Sequence, residues 1–230
     1  CTAETNAVAG IAADNQTIVA TGGNVTLSAG TVGGVRIGGS TNANVNLTAA
    51  LGDIILNANA ANATFGAAIG SNNTGTFTNN LNITATNGNV TLNPSAGNGV
   101  RIGAPNGLVG GGNISVVAGS NITLGSNGSF GGAIRTTGNV SLGNATTDAI
   151  TGGASSVIQA NTLTTQSTAG TTFIGQSQVN TLLMTNTNAG DINLVVAQPF
   201  TFGSGAGGAT VTNLAPGGIL SVTANGDRKS

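Results

Sequence analysis

A repeated stretch of sequence constrains this chain more than any other feature. Residues 88–92 read Gly-Asn-Val-Thr-Leu and are followed at 100–103 by Val-Arg-Ile-Gly, and the same text stands 65 residues earlier at 23–27 and 35–38. Each copy is a short apolar segment opened by a turn residue, and such segments recur along the chain. The residues in this opening position are Asn24, Asn44, Asp53, Asn89, Asn113, Asn121, Asn139 and Asp191.

The repeat also divides the chain into blocks. The match continues between 64–69 and 129–134, so residues 23–87 and 88–150 are two copies of one block. Residues 151–230 also contain short apolar segments separated by turn residues, but their sequence differs from that of the two blocks. No linker or change of charge separates the parts. We therefore predict a single domain over 1–230. If each block holds three coils of about 21–22 residues, the chain forms about ten coils.

Alternation within the segments predicts short, half-buried β-strands. Apolar residues flank a polar one in each copy, whereas a helix would need apolar residues at i, i+3 and i+4 among good helix formers. A register that points the arginines outward is required, because a slip by one residue would bury them unpaired. The residues expected inside are Val25, Leu27, Val35, Ile37, Val90, Leu92, Val100 and Ile102, and those expected outside are Thr26, Arg36, Thr91 and Arg101.

Repetition of one text favours stacked coils over a closed sandwich. In a solenoid each coil must present the same shape to the next, so the text repeats, whereas strands of a sandwich pair with distant partners that need not share it. We predict an all-β solenoid, roughly 50 Å long for about ten coils at one inter-strand spacing each.

The later repeats resemble those of filamentous-haemagglutinin-like exoproteins, which are exported by two-partner secretion. The resemblance is carried by residues 172–179, 182–188, 189–194 and 200–203, and in style it covers roughly 20–225. It implies a right-handed parallel β-helix and an adhesive role at the bacterial surface. The secretion domain of that family carries an Asn-Pro-Asn motif, and Asn93-Pro94-Ser95 departs from it, so we place no secretion domain here.

Composition argues against several classes of function. The chain has five basic residues and six aromatic ones, all Phe. A nucleic-acid-binding domain would carry more of both, so we expect no nucleic-acid partner. No apolar run approaches the length of a transmembrane helix. The chain has no His and one Cys, which argues against zinc, and its acids are too scattered for calcium or for a carboxylate-pair hydrolase. We expect no cofactor, no metal site, no catalytic residue and no enzymatic activity.

The asparagines that open the strands have a structural interpretation. Asn tolerates left-handed backbone angles and bonds to neighbouring amides, so it suits tight corners, and asparagines in successive coils can form ladders. We interpret the eight opening residues named above as structural turn residues.

Two surface features are candidates for binding. Arg36 and Arg101 occupy matched sites, about 14 Å apart if three coils separate them, and we favour solubilising charges over a binding stripe. Thr-X-Thr pairs resemble those of ice-binding solenoids but are irregularly placed. They lie at Thr84 and Thr86, Thr162 and Thr164, and Thr185 and Thr187.

Cys1 and the ends of the chain complete the expectations. Cleavage of a bacterial lipoprotein leaves an N-terminal Cys that carries the lipid, so Cys1 is a candidate for lipid attachment; the alternative is that the sequence merely begins there. Residues 1–20 hold two charges and the other end only Asp227, Arg228 and Lys229, so neither end is strongly blocked. End-to-end stacking of such coils would give a fibre; the rival is that the chain is a piece of a longer exoprotein.

We therefore expect an extracellular, bacterial cell-surface structural protein. It would be a β-helical subunit of a filament or adhesin stalk, acting by head-to-tail self-association and by attachment to cell surfaces or glycans. The alternative is an ice- or glycan-binding module that uses a face rich in Thr and Asn.

Overall fold

The computed structural model describes residues 8–11, 13–39, 42–62, 66–71, 79–105, 111–198, 201–202 and 211–224. These residues form strands and no helix. The strands are β1 Val8–Ile11, β2 Asn15–Ala20, β3 Val25–Ser28, β4 Gly34–Ile37, β5 Ala43–Ala49, β6 Ile54–Asn57, β7 Ala67–Ile69, β8 Asn79–Ala85, β9 Val90–Asn93, β10 Val100–Gly103, β11 Ile114–Ala118, β12 Ile122–Leu124, β13 Ser126–Asn127, β14 Phe130–Arg135, β15 Asn139–Gly143, β16 Ile150–Gly152, β17 Val157–Ser167, β18 Thr171–Asn186, β19 Ile192–Val196, β20 Thr201–Phe202, β21 Val211–Asn213 and β22 Leu220–Ala224.

Parallel pairing arranges these strands in three stacked faces. Face 1 contains β1, β4, β7, β10, β14, the start of β17 and the middle of β18. Face 2 contains β2, β5, β8, β11, β15, the ends of β17 and β18, then β20 and β21. Face 3 contains β3, β6, β9, β12, β16, the start of β18, β19 and β22. The fold is a parallel β-helix, as the sequence predicted.

The number of turns is smaller than expected. Face 3 has eight strand segments, so the described residues make eight turns rather than about ten coils. Seven spacings of about 4.8 Å put the first and last of these strands roughly 34 Å apart. Turns are unequal in length: Ile54 pairs with Val90, 36 residues later, while Ile150 pairs with Thr171, 21 residues later.

The unequal turns also change the number of turns assigned to the repeated block. Val25 pairs with Ile54 and Ile54 with Val90, so the 65-residue offset is two turns rather than three coils. The connections between the strands are longer in this half of the chain. These connections have no alternation of apolar and polar residues. Their length was therefore not visible in the sequence pattern, and the number of turns in each block was overestimated.

The predicted inside and outside residues are confirmed. Seven of the eight expected core residues are buried, and Val25 is partly buried against the core. Thr26 is exposed, while Thr91, Arg36 and Arg101 are half-buried on the outside. Inward residues of successive turns stack as aliphatic columns, because pairing brings equivalent positions together; Leu47, Ile83 and Val116 are one example.

Glycines with positive φ mark the corner between faces 1 and 2. Gly38, Gly70 and Gly103 follow β4, β7 and the last paired isoleucine of β10, with φ of 135°, 125° and 88°. A Cβ on Gly70 would lie 2.7 Å from the carbonyl oxygen of Gly103, and one on Gly38 would lie 2.7 Å from that of Gly70. Only glycine fits at these three positions, because the backbone is left-handed there and the next turn approaches too closely for a side chain.

Replacing Thr165 by valine should stabilise the protein. Thr165 points into the column between Leu142 and Met184, and its buried hydroxyl has no hydrogen-bond partner among the described residues. Thr165→Val removes this unsatisfied group with little change of shape, so the free energy of unfolding should rise by about 1 kcal/mol. Urea unfolding followed by circular dichroism measures it.

Thr147 provides the matched control. It is also buried, but its hydroxyl donates to the carbonyl oxygen of Ala118 at 2.6 Å and accepts from the backbone N–H of Asn144 at 3.1 Å. Thr147→Val should therefore lower the free energy of unfolding. Equal effects of the two substitutions would contradict the assignment.

Candidate functional site

The most distinctive surface feature is a groove on face 1. Strand pairing places Arg36, Ala68, Arg101 and Ala133 in one outward row on four successive turns. The alternation of arginine and alanine leaves space beside each guanidinium group. Arg36 and Arg101 are thus two turns apart, about 10 Å, instead of the three coils expected.

Glycines deepen the groove next to this row. Gly66, Gly99 and Gly131 line it, and a Cβ on Gly66 or Gly131 would lie 1.9 Å from a carbonyl oxygen of the following turn. Since no side chain can stand there, the surface is recessed. The resulting cavity has a volume of about 460 Å³.

A third arginine, Arg135, enters the same groove. It lies at the end of β14, where it pairs with Gly103 of the turn before. Arg135 was not among the predicted surface residues, because it stands outside the repeated Val-Arg-Ile sequence. A signal was present: Gly38, Gly70 and Gly103 each follow an isoleucine, and Arg135 follows Ile134 in the same register.

The electrostatics of the groove are those of crowded cations. Burial lowers the pKa of all three arginines. For Arg101 burial, and then the positive charges of Arg36 and Arg135, lower the pKa to about 10. No carboxylate is among the described residues that line the groove. The groove therefore concentrates positive charge in a chain whose net charge is -1.

The three arginines are held differently. Arg101 donates from Nη1 to the carbonyl oxygen of Ser71 at 3.0 Å and to that of Gly103, so it ties two turns together. Within the described part of the chain, Arg36 and Arg135 form no side-chain hydrogen bond or salt bridge. These two guanidinium groups are available to a ligand.

An aromatic side chain stands at the edge of the groove. Strands β13 and β14 form an antiparallel hairpin, with Asn127 opposite Phe130 and Gly128 at a φ of 58°. It is the one antiparallel pair among the described strands. Phe130 is 37% exposed and lines the groove together with Ser129. The hairpin thus adds an apolar surface and a hydroxyl to a cationic groove.

The residues that open the strands form ladders between turns. Asn24 Oδ1 accepts from the Asp53 N–H at 2.8 Å, Asp53 Oδ1 from the Asn89 N–H at 2.7 Å, and Asn89 Oδ1 from the Asn121 N–H at 3.1 Å. A second ladder joins Asn15, Asn44, Asn80, Asn113 and Asn139. At the last turn, Asp191 Oδ1 accepts from the Ile219 N–H at 2.8 Å.

One reason given for these asparagines is wrong. No non-glycine residue in the described part of the chain has a positive φ, so the asparagines do not serve as left-handed corners. Glycines take those positions. Six of the eight opening residues lie just outside the strands, while Asn44 and Asn139 lie within β5 and β15. Their hydrogen bonds to the adjacent turns, to backbone N–H groups or to other asparagines, are the ladder role alone.

Among the described residues, threonines form two rows of three or more. A row of three on face 2 contains Thr162, Thr181 and Thr201, and a row of four lies on face 3. Thr91, Thr123, Thr151 and Thr172 pair on four successive turns, and Thr26 is separated from them by Ile55. The expected Thr-X-Thr pairs do not stack on one another: Thr164 pairs with Leu183, and Thr84 with Val117. Rows on two different faces do not make a two-dimensional threonine grid.

Some expected features fall outside these arrangements. Cys1 lies outside the described residues. In the part described, no three His, Cys, Asp or Glu side chains gather closely enough to hold a metal ion. A search of the same residues for a helix long and apolar enough to cross a membrane finds none.

Comparisons with protein-family models, with curated proteins and with solved structures find no match to this chain.

The ladder predicts a large effect at Asn89. Asn89 donates from Nδ2 to Asp53 Oδ1 at 3.1 Å and accepts two hydrogen bonds from Asn121. Asn89→Ala should lower the free energy of unfolding by about 1–3 kcal/mol, since it leaves neighbouring polar groups unsatisfied. Urea unfolding measures the loss. Asn127→Ala is the control, because Asn127 is exposed and its side chain forms no hydrogen bond with the described residues; a similar loss there would refute the ladder's contribution.

The groove predicts how stability depends on pH. Burial and the neighbouring arginines lower the folded pKa of Arg101 to about 10, well below the pKa of the free side chain. Between these values the unfolded chain keeps a proton that the folded chain has released, so stability should rise with pH above about 9. Below that pH both states are protonated and Arg101 contributes no slope.

With no His and few charged groups, we expect the unfolding midpoint to stay flat from about pH 5 to 9. Thermal unfolding followed by circular dichroism from pH 5 to 11 tests both expectations. Arg101→Gln should remove the rise at high pH. A pronounced shift of the midpoint inside the flat window would reveal another ionisable cluster.

Proposed function

We propose that this chain is a structural protein of the bacterial cell surface, a β-helical subunit of an extracellular filament or adhesin stalk. It acts by self-association and attachment and carries out no chemical reaction. The observation that supports the proposal is the uncovered stacking surface at both ends of the described coil.

The backbone edges of the first and last turns lack strand partners among the described residues. β3 pairs only with β6, and β22 only with β19. Each turn in between is bonded on both sides. Unpaired strand edges favour addition of another strand, because their N–H and C=O groups gain partners.

Apolar side chains are exposed at the same two ends. Leu220 is 49% exposed, whereas Ile192, its partner in the preceding turn, is completely buried. At the first turn Ile18 points inward and is only partly buried against the core, whereas Leu47, its partner in the next turn, is completely buried. These side chains occupy positions that a further turn would cover, so their burial would add a hydrophobic gain to the backbone pairing.

The two ends complement each other in direction. All strands of the three faces run parallel, so the last turn of one molecule presents to the first turn of another the geometry found between successive turns. Such a head-to-tail contact does not close on itself and extends into a fibre. Further turns of a longer chain would cover the same surfaces in the same way.

The location rests on a different argument. The resemblance of the repeats to filamentous-haemagglutinin-like exoproteins supports export to the surface of a bacterium and attachment there. The ice-binding alternative is weakened because the threonine rows lie on different faces and form no grid, while the groove on face 1 favours a glycan as an additional ligand.

Self-association should depend on concentration and on the last turn. In sedimentation velocity and negative-stain electron microscopy, the purified protein should form linear oligomers as its concentration rises. Leu220→Lys places a charge in the stacking surface and should shift assembly to at least about tenfold higher concentration, because burying an unpaired ammonium group is costly.

Leu51→Lys is the matched control. Leu51 is 68% exposed, but it lies on the side of an interior turn, between β5 and β6. Assembly should be unchanged in this variant. A monodisperse monomer at high concentration, or equal loss in both variants, would defeat the filament proposal.

A further inference from the structure

We infer that the groove on face 1 is a binding site for an acidic glycan, a linear sugar chain bearing carboxylate or sulfate groups. Arg36 and Arg135 bind its acidic groups, Phe130 packs against a sugar ring, and Arg101 supports the floor. The inference is independent of self-association, since a single molecule contains the whole groove.

The charge of the groove calls for an anionic ligand. Three of the five basic residues of the chain line one groove, and no carboxylate lines it among the described residues. Holding like charges together in a recessed site costs free energy, and an anion reverses this cost. A guanidinium group suits carboxylate and sulfate because its planar fork can donate two parallel hydrogen bonds.

The spacing of the arginines calls for an extended ligand. Arg36 lies in β4 and Arg135 in β14, three turns further, so about 14 Å of the helix axis separates their strands. A ligand longer than a single small anion matches this separation of the strands. A chain molecule with repeated acidic groups, laid along the axis, reaches both guanidinium groups and passes over Arg101.

The remaining lining fits a sugar better than a peptide or a nucleic acid. Phe130 offers one apolar face beside the cations, to which the C–H face of a sugar ring can pack. A peptide cannot add a strand here, because the backbone groups of β7 and β10 already bond to each other and to β4 and β14. A nucleic acid would lack a series of stacking side chains, since a single aromatic residue lines the groove among the described residues.

Isothermal titration calorimetry at low salt tests the site. The probes are an oligogalacturonate, which carries carboxylates, a heparin oligosaccharide, which carries sulfates, and a neutral oligosaccharide of similar length. At least one acidic probe should bind and the neutral one should not, and added salt should weaken the binding. Binding of one acidic probe alone identifies the acid that the groove prefers.

Variants locate the binding. The double variant Arg36→Gln and Arg135→Gln should weaken binding at least about tenfold, because it removes charge-assisted hydrogen bonds. Phe130→Ala should weaken it with no change of charge. Arg101 is left intact, because its bonds to Ser71 and Gly103 support the fold. Unfolding curves must show that each variant is as stable as the natural protein or more so.

A charge-matched control separates the groove from general attraction. Thr26→Glu with Thr151→Glu lowers the net charge by the same two units on face 3, where both threonines are exposed. Binding should persist in this variant. Equal weakening in the two double variants, no binding of either acidic probe, or preference for single-stranded DNA or an acidic peptide over both, would overturn the inference.

Discussion

The hydrogen bonds that join each turn to the next determine the rest of this structure. Pairing places equivalent positions on top of one another, so a residue meets its counterparts in the turns before and after it. Val25, Ile54, Val90 and Ile122 form one such series. A side chain is therefore favoured where it resembles the residues that stack on it. Rows therefore become the unit of the fold: aliphatic rows inside, glycine rows at corners, and polar rows at the strand openings.

Row formation explains why so much of the fold could be predicted from the sequence. Alternation around Arg101 gave the inward and outward sides, because one register alone keeps the guanidinium group out of the core. The asparagines were recognised for the same reason, since residues that stack on one another recur at equivalent positions of the repeated sequence. Asn89 and Asn24 stand in identical text and occupy the same ladder.

What the sequence could not supply is the length of each turn. A connection between two strands loops out from the stack, so its length is free to vary and leaves no periodic signal. The count of coils was therefore too high. The same uncertainty concealed the groove: Arg135 joins Arg36 and Arg101 only when the turns are aligned by their hydrogen bonds. Phe130 comes close through a hairpin insertion, which the alternation pattern does not describe.

The division between inner and outer rows explains how a cationic groove can exist on this scaffold. Inward residues such as Ile102 and Ile134 maintain the column whatever stands beside them on the outside. Arg101 therefore lowers the stability of the fold through the desolvation of its charge and its repulsion from the other arginines, but it does not disturb the packing of the core. Stability in a solenoid is shared among many similar interfaces between turns, so a local cost at three of them is borne by the rest. The surface of such a fold can therefore acquire specific chemistry through substitution of its outward-facing residues alone. The glycines at 66, 99 and 131 show that the shape of the surface is determined in the same way.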